Sequence, residues 1–175
     1  MATAQLLDVP YVSQFRSIPG LGCNVAWYAC GPACASMVAA YLTGTAPPFD
    51  RAVLASGGRS IVGRGVQPWQ VVQTIERLAP GAVAGCTSVG NAAASRSLLG
   101  YALSRRLPII ALVKPSWVVT GINHYVVVTG QDTARHRVTI NDPLTYAPIT
   151  LPEPVFTAAW QEVRRTRPFT YIWAR

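Results

Sequence analysis

The run Tyr28-Ala29-Cys30-Gly31-Pro32-Ala33-Cys34-Ala35-Ser36-Met37 decides how this chain is read. Pro32 suits the first turn of a helix, where its missing N–H has no intrahelical partner to lose. The small and apolar residues around it predict a helix from about Gly31 to Leu42, stopped by Thr43-Gly44 and Pro47-Pro48. Cys30 therefore stands at a helix N-terminus, where unpaired N–H groups and the helix dipole favour a thiolate over a thiol. His124, in Gly121-Ile122-Asn123-His124-Tyr125-Val126-Val127-Val128, and Asp142, in Val138-Thr139-Ile140-Asn141-Asp142-Pro143, each stand at the edge of a strand-like run. A thiol, a base and a carboxylate to orient the base are the parts of a nucleophilic site.

Outward from this run, Leu7 to Gln14 alternates apolar and polar residues as a short edge strand would, with Pro10 where no ladder bond is needed. Residues 15–24 read as a loop. A second helix is predicted from Gln67 to Leu78, with Trp69, Val72 and Ile75 on its buried face. A third runs from Ser95 to Arg106, with Ser95 as N-cap and Leu98, Leu99, Ala102 and Leu103 inward. After Pro108 the pattern changes to β-branched runs at Ile109 to Val113, Tyr125 to Thr129, Arg137 to Asn141 and Phe169 to Trp173, and the connection over 130–136 suggests an irregular or bulged hairpin. A last helix follows Pro152, from Glu153 to Arg164, burying Phe156, Ala159 and Trp160. Helices first and an antiparallel sheet second predict an α+β fold, and with no repeat or long linker, residues 1–175 are expected to form a single domain.

Composition removes several function classes. The net charge of +8 comes from 15 basic and 7 acidic residues, but the arginines are dispersed and Lys114 is the only lysine. Nothing resembles a nucleic-acid-binding tract, so no specific nucleic acid is expected, although the diffuse field would attract acidic peptides or anionic surfaces. Val25 to Leu42 is uncharged, yet its Gly-Pro and small residues favour a buried core helix over a transmembrane segment. Residues 1–10 hold Asp8 and no basic n-region, so no signal peptide is expected and a cytoplasmic location is favoured. Half of the residues are hydrophobic, enough for a core without disulfides, and the four cysteines form no CxxC pair, so free thiols and no metal or cofactor are expected. Cys34 and Cys86 read as inert packing; Cys23 is open to a redox partnership with Cys30. His136 sits in a polar hairpin loop and reads as solvated. Trp69, Trp160 and Trp173 read as core, while Trp117 would line a substrate groove or pack, and Trp27 and Tyr28 would wall a cleft or pack beneath it.

Taken in order, Val9-Pro10-Tyr11-Val12-Ser13-Gln14, Cys30-Gly31-Pro32-Ala33-Cys34-Ala35-Ser36-Met37-Val38 with Tyr41-Leu42, Leu107-Pro108-Ile109-Ile110-Ala111-Leu112-Val113, His124-Tyr125-Val126-Val127-Val128 and Asn141-Asp142-Pro143 resemble a known family. It is the bacteriocin-processing branch of the papain-like cysteine peptidases, which cleave after double-glycine leaders, and especially its stand-alone relatives. The resemblance implies a papain-like fold, a helical half carrying Cys30 and a sheet half carrying His124 and Asp142, with the cleft between them. It implies Cys30 as nucleophile, His124 as general base and later acid, Asp142 as orienter, and Gln14 as a side-chain donor to the oxyanion. Sixteen positions separate Gln14 from Cys30, so that last role requires residues 15–24 to loop out and return. The implied reaction is hydrolysis of a peptide or isopeptide bond in a peptide or protein substrate through a thioester. Capture of the same thioester by an amine, as in a transglutaminase-like acyltransferase, and a catalytically silent peptide-binding module are the rival readings.

Overall fold

The helix opening at Cys30 is α1 (Cys30–Thr43), one residue longer at each end than the pattern predicts. Gly44 ends it in the left-handed region at φ 72°, donating its N–H to the Ala40 carbonyl. The computed structural model describes residues 4–16, 21, 23–118, 122–163 and 167–175, and the side chain of Cys23, with any redox role for it, lies outside the described residues. A short 3-10 helix, Cys23–Tyr28, leads into α1.

Three more helices match the expected ones with shifted ends. In α3 (Pro68–Leu78) a capping box satisfies the first turn, with the Gln67 N–H donating to Gln70 Oε1 at 2.8 Å. Helix α4 (Ala92–Ser104) starts earlier than predicted because Asn91, not Ser95, is the cap: Asn91 Oδ1 accepts from the Ala94 N–H at 2.9 Å. Ser95 instead lies inside the helix, donating its hydroxyl to the Ala92 carbonyl at 2.8 Å. Helix α5 (Glu153–Gln161) buries Phe156, Ala159 and Trp160 as expected. Helix α2 (Phe49–Ala55) was not predicted, since its 7 residues are too few to establish a helical period.

Among the described residues the sheet has seven strands: β1 (Ala4–Leu6), β2 (Ala84–Ser88), β3 (Ile109–Val113), β4 (His124–Asp132), β5 (Arg137–Asn141), β6 (Ile149–Pro152) and β7 (Thr170–Ala174). All pairings are antiparallel, in the order β2-β7-β3-β4-β5-β6. One edge of the long β4 is shared by β3, along His124 to Val128, and β1, along Gly130 to Asp132. The expected strand over Leu7 to Gln14 is therefore corrected: pairing stops at Leu6, and beyond it Leu7, Val9 and Val12 are buried while Asp8 and Pro10 are exposed, without ladder bonds around Pro10. The alternation is real but belongs to a segment outside the ladder, bonded to Thr129, Asn141, Asp142 and Pro143. A bulge does occur, between Val128 and Gly130 of β4 rather than in the hairpin connection.

Both faces of the sheet are covered. Ile110, Leu112, Tyr125, Val127 and Ile172 pack with α1, α2 and α3, while Ile109, Ala111, Val126, Val128 and Ile140 pack with Leu99 of α4 and Phe156 and Trp160 of α5. This is why β3 and β4 read as unbroken apolar runs instead of alternating ones. Trp160 is fully buried, its indole N–H donating to the Thr170 carbonyl at 2.8 Å, and Trp173 packs on the core partly exposed. Two core expectations are corrected: Trp69 is 55 % exposed, because Val71, Thr74 and Ile75 form the buried face of α3, and Cys86 is exposed on β2.

Helix α1 meets the sheet and the 63–67 loop at Gly31. An added Cβ there would overlap a Val66 methyl and come within 3.1 Å of Val71 and 3.4 Å of the Tyr125 ring. Val66 is β-branched and cannot swing away freely. Gly31→Ala is expected to destabilise the protein by about 1–3 kcal/mol through overpacking, seen as a lower urea midpoint with an unchanged slope.

Candidate active site

Cys30 is the first residue of α1, and Ala29 before it supplies no side-chain cap. The sulfur instead receives the backbone N–H groups of Gly31 and Tyr125 and shares a side-chain hydrogen bond with His124. His124 opens β4 opposite Val113 of β3 and is 3 % exposed. Asp142 follows the last residue of β5. Because Asn141 pairs with Val127, continuing the antiparallel register puts Asp142 opposite Val126, diagonal to His124. The strand pairing thus joins residues distant in sequence: His124 Nε2 lies 2.7 Å from Asp142 Oδ1. A carboxylate only accepts, so Nε2 carries the proton and Nδ1 is left for the thiol.

The Asp142 carboxylate is fully buried and held by further donors. The Leu144 N–H reaches Oδ1 at 2.9 Å, and the Trp117 indole N–H reaches Oδ2 at 2.8 Å. Trp117 packs, partly buried, against the core, one of its two expected roles, and its indole also holds Asp142, a contact across 25 positions that no local signal announces. The extended segment before Gln14 braces the same turn. Val9 accepts from Asn141 Nδ2 at 2.9 Å, the Tyr11 hydroxyl donates to the Asp142 carbonyl at 3.1 Å, and the Gln14 N–H donates to the Pro143 carbonyl at 3.0 Å.

Gln14 is 1 % exposed and its Nε2 donates to the Ala26 carbonyl at 2.8 Å, so its backbone is tied to Pro143 and its side chain to the turn that precedes Cys30. The expected loop over 15–24 falls in part outside the described residues, at 17–20 and 22. Gln14 Oε1 is buried with no hydrogen-bond partner among the described residues. Cys34 is fully buried one turn after Cys30, and burial pushes its thiol well above the ordinary value. His136 is exposed at the tip of the β4–β5 hairpin.

Charge at the site follows from these contacts. Burial raises the Cys30 thiol, but the hydrogen bond and positive charge of His124, with the Tyr125 and Gly31 amides, outweigh it and leave the thiol below its ordinary value. Burial lowers the imidazole of His124, yet Asp142 and Cys30 hold its proton and push it up to about 9. Burial raises the Asp142 carboxyl, and hydrogen bonds from His124, Trp117 and Leu144 bring it below its usual range. The arrangement favours a thiolate and imidazolium backed by a carboxylate.

Cys30 opens onto a cleft of about 560 Å³ whose walls include Trp27, Tyr28, Arg64, Val66 and Leu112. Trp27 is 65 % exposed and walls the cleft, while Tyr28 both lines it and packs, partly buried, against the core. Among the described residues no group of His, Cys, Asp and Glu is arranged to hold a metal ion, and no helix is long and apolar enough to cross a membrane.

A cleft of this kind, between a Cys-bearing helix and a sheet bearing His and Asp, is that of the papain-like cysteine peptidase fold. The family model described as the Peptidase_C39 like family matches residues 6–167, and the chain belongs to that family. A Bacillus anthracis protein described as a C39-like peptidase is similar in structure at a TM-score of 0.73 and 16 % identity, covering 99 % of this chain and 98 % of that one. A double-glycine motif protease from an AMS/PCAT transporter, in complex with the leader peptide, superposes at 0.60 with 19 % identity, over 97 % of this chain and 94 % of that one. UfSP from C. elegans superposes at 0.57 with 10 % identity, over 99 % of this chain but 34 % of that longer one. No curated protein matches the sequence at a meaningful level of similarity.

The Trp117 contact has a measurable consequence. Because the folded Asp142 carboxyl is lowered, its contribution to stability is fully present above the unfolded carboxyl pKa of about 3.9 and is lost as pH falls through the folded value. Trp117→Phe removes one donor and raises that folded value, so acid unfolding followed by circular dichroism should begin at a higher pH than in the wild type. Equal acid midpoints would show that the indole contact does not stabilise the carboxylate.

Proposed function

We propose that the protein is a cysteine peptidase that hydrolyses a peptide or isopeptide bond through a thioester, the whole chain acting as one domain. The observation that carries this reading is the continuous hydrogen-bonded chain from Cys30 through His124 to Asp142 at the N-terminus of α1 and the floor of an open cleft. Membership of the C39-like family and the peptidase folds it superposes on support the same class. The leader peptide bound to the double-glycine motif protease supports a peptide as substrate.

In this mechanism the Cys30 thiolate attacks the substrate carbonyl, forming a C–S bond and placing negative charge on the carbonyl oxygen. The His124 imidazolium gives its proton to the leaving nitrogen as the C–N bond breaks, leaving a thioester and a neutral imidazole. His124 then takes a proton from water, the resulting hydroxyl attacks the thioester, and the acid product departs as the thiolate and imidazolium are restored. Asp142 holds the ring in the tautomer that keeps Nδ1 toward sulfur. Gln14 is assigned the oxyanion donor on the family resemblance: its Nε2 gives one proton to the Ala26 carbonyl and keeps a second.

Iodoacetamide at pH 6 followed by peptide mapping tests the nucleophile. Cys30 should label faster than the exposed Cys86 although it is the less accessible thiol, and Cys34 should stay unlabelled. Cys30→Ala should remove turnover with little change in thermal stability; equal labelling of Cys30 and Cys86 would overturn the assignment.

Asp142→Asn separates orientation from folding. Both carboxylate oxygens accept hydrogen bonds, so an amide that keeps its oxygen toward His124 and Leu144 must turn its NH2 against the Trp117 N–H. The variant should lose about 1–3 kcal/mol of stability from the unpaired donors, and adding Trp117→Phe should recover part of it in a double-mutant cycle. Turnover by Asp142→Asn should fall whichever way the amide turns.

A further inference from the structure

Arg64 is the only charged side chain among the described residues lining the Cys30 cleft, which holds no acidic group. It is exposed and makes no ion pair or side-chain hydrogen bond among the described residues. The loop that presents it is shaped by its own backbone. Gly63 and Gly65, on either side, adopt φ 80° and 68°, a conformation side chains rarely accept, and the N–H groups of Arg64 and Gly65 both donate to the Ile61 carbonyl at 3.1 and 2.8 Å. Val66 then fixes the loop to the site, since its carbonyl accepts the Tyr125 hydroxyl at 3.1 Å and its side chain packs on Gly31. Gly31 and Tyr125 are the chain neighbours of Cys30 and His124, so the contacts that set the thiol and imidazole also set where Arg64 stands.

We propose that Arg64 is a specificity-determining residue of the cleft, and that the substrate carries a carboxylate, as an Asp or Glu side chain, within a few residues of the bond brought to Cys30. The inference rests on the peptidase reading for its substrate class. An extended peptide advances about 3.3 Å per residue, so a guanidinium on the cleft wall faces a residue close to the scissile bond. Arg is suited to this task because its planar fork binds a carboxylate through two parallel hydrogen bonds. With no acidic side chain in the cleft to satisfy it, the guanidinium waits for a ligand of that charge, and the net charge of +8 draws acidic peptides toward it.

The test uses binding in the Cys30→Ala background, so that cleavage does not enter. The probes are fluorescein-labelled alanine–glycine peptides of about ten residues, each with one Glu moved through the sequence, and the matching Gln and Lys peptides. At one position Glu should bind about five- to tenfold tighter than Gln, a preference that weakens with salt as expected for a solvent-accessible charge pair. Arg64→Ala should abolish the ratio, Arg64→Lys should keep part of it, and Arg64→Glu should favour the Lys peptide instead. Thermal unfolding of each variant checks the fold. No Glu preference at any position, no detectable binding of any probe, or a preference that survives Arg64→Ala overturns the proposal. Cleavage by the unmodified protein is read separately: binding that depends on Arg64 without cleavage removes the peptidase reading and leaves this one, and cleavage indifferent to Arg64 does the reverse.

Discussion

The close approach of the first turn of α1 to the start of β4 is the constraint on which the rest of the molecule depends. Gly31 has no side chain because the Val66 methyl, Val71 and the Tyr125 ring occupy the space one would need. That contact brings the residue after His124 against the residue after Cys30. The distance between thiol and imidazole is therefore set by core packing. The same contact anchors the 63–67 loop through the Tyr125 hydroxyl, so helix, sheet and cleft wall are fitted to one another at a single point.

The second constraint is the buried carboxylate. Taking Asp142 out of water is costly unless its oxygens are satisfied, and three donors do so: His124, Trp117 and Leu144. The N-terminal segment closes over this turn with Val9, Tyr11 and Gln14, each bonded within the stretch 141–143. Gln14 then links that turn to Ala26, before Cys30, while its own Oε1 is buried with no partner among the described residues. A buried acceptor left without a partner costs about 1–3 kcal/mol.

Much of the fold was legible because its elements carry local marks. The Pro32 start and Gly44 stop of α1, the Gln67-Pro68 start of α3 and the β-branched runs of β3, β4 and β5 are written in neighbouring residues. Errors arose where the mark was ambiguous or absent. Asn91 and Ser95 are both capping residues, and only the backbone geometry shows that Asn91 caps α4. In α3 the apolar stripe through Trp69 is real, but the neighbouring stripe through Val71 faces the core. Ala84–Ser88 has no strong strand character and becomes β2 because β7 offers it a ladder. That edge position also exposes Cys86, whose residue type alone suggested burial.

The sequence by itself determined the class of protein: a cysteine at a helix start, a histidine and an aspartate at strand ends, in an order shared by one family of folds. These are local properties, since capping, periodicity and turn chemistry act within a few residues. Only the tertiary structure decided how the three meet, that Trp117 holds Asp142, that Gln14 is tied to Ala26 and that Arg64 brings the one charged side chain among the described residues of the cleft wall. Each of those is a contact between segments far apart in the chain. Such contacts are selected by the pairing register of the sheet and the fit of α1 against it, which no short window of residues contains.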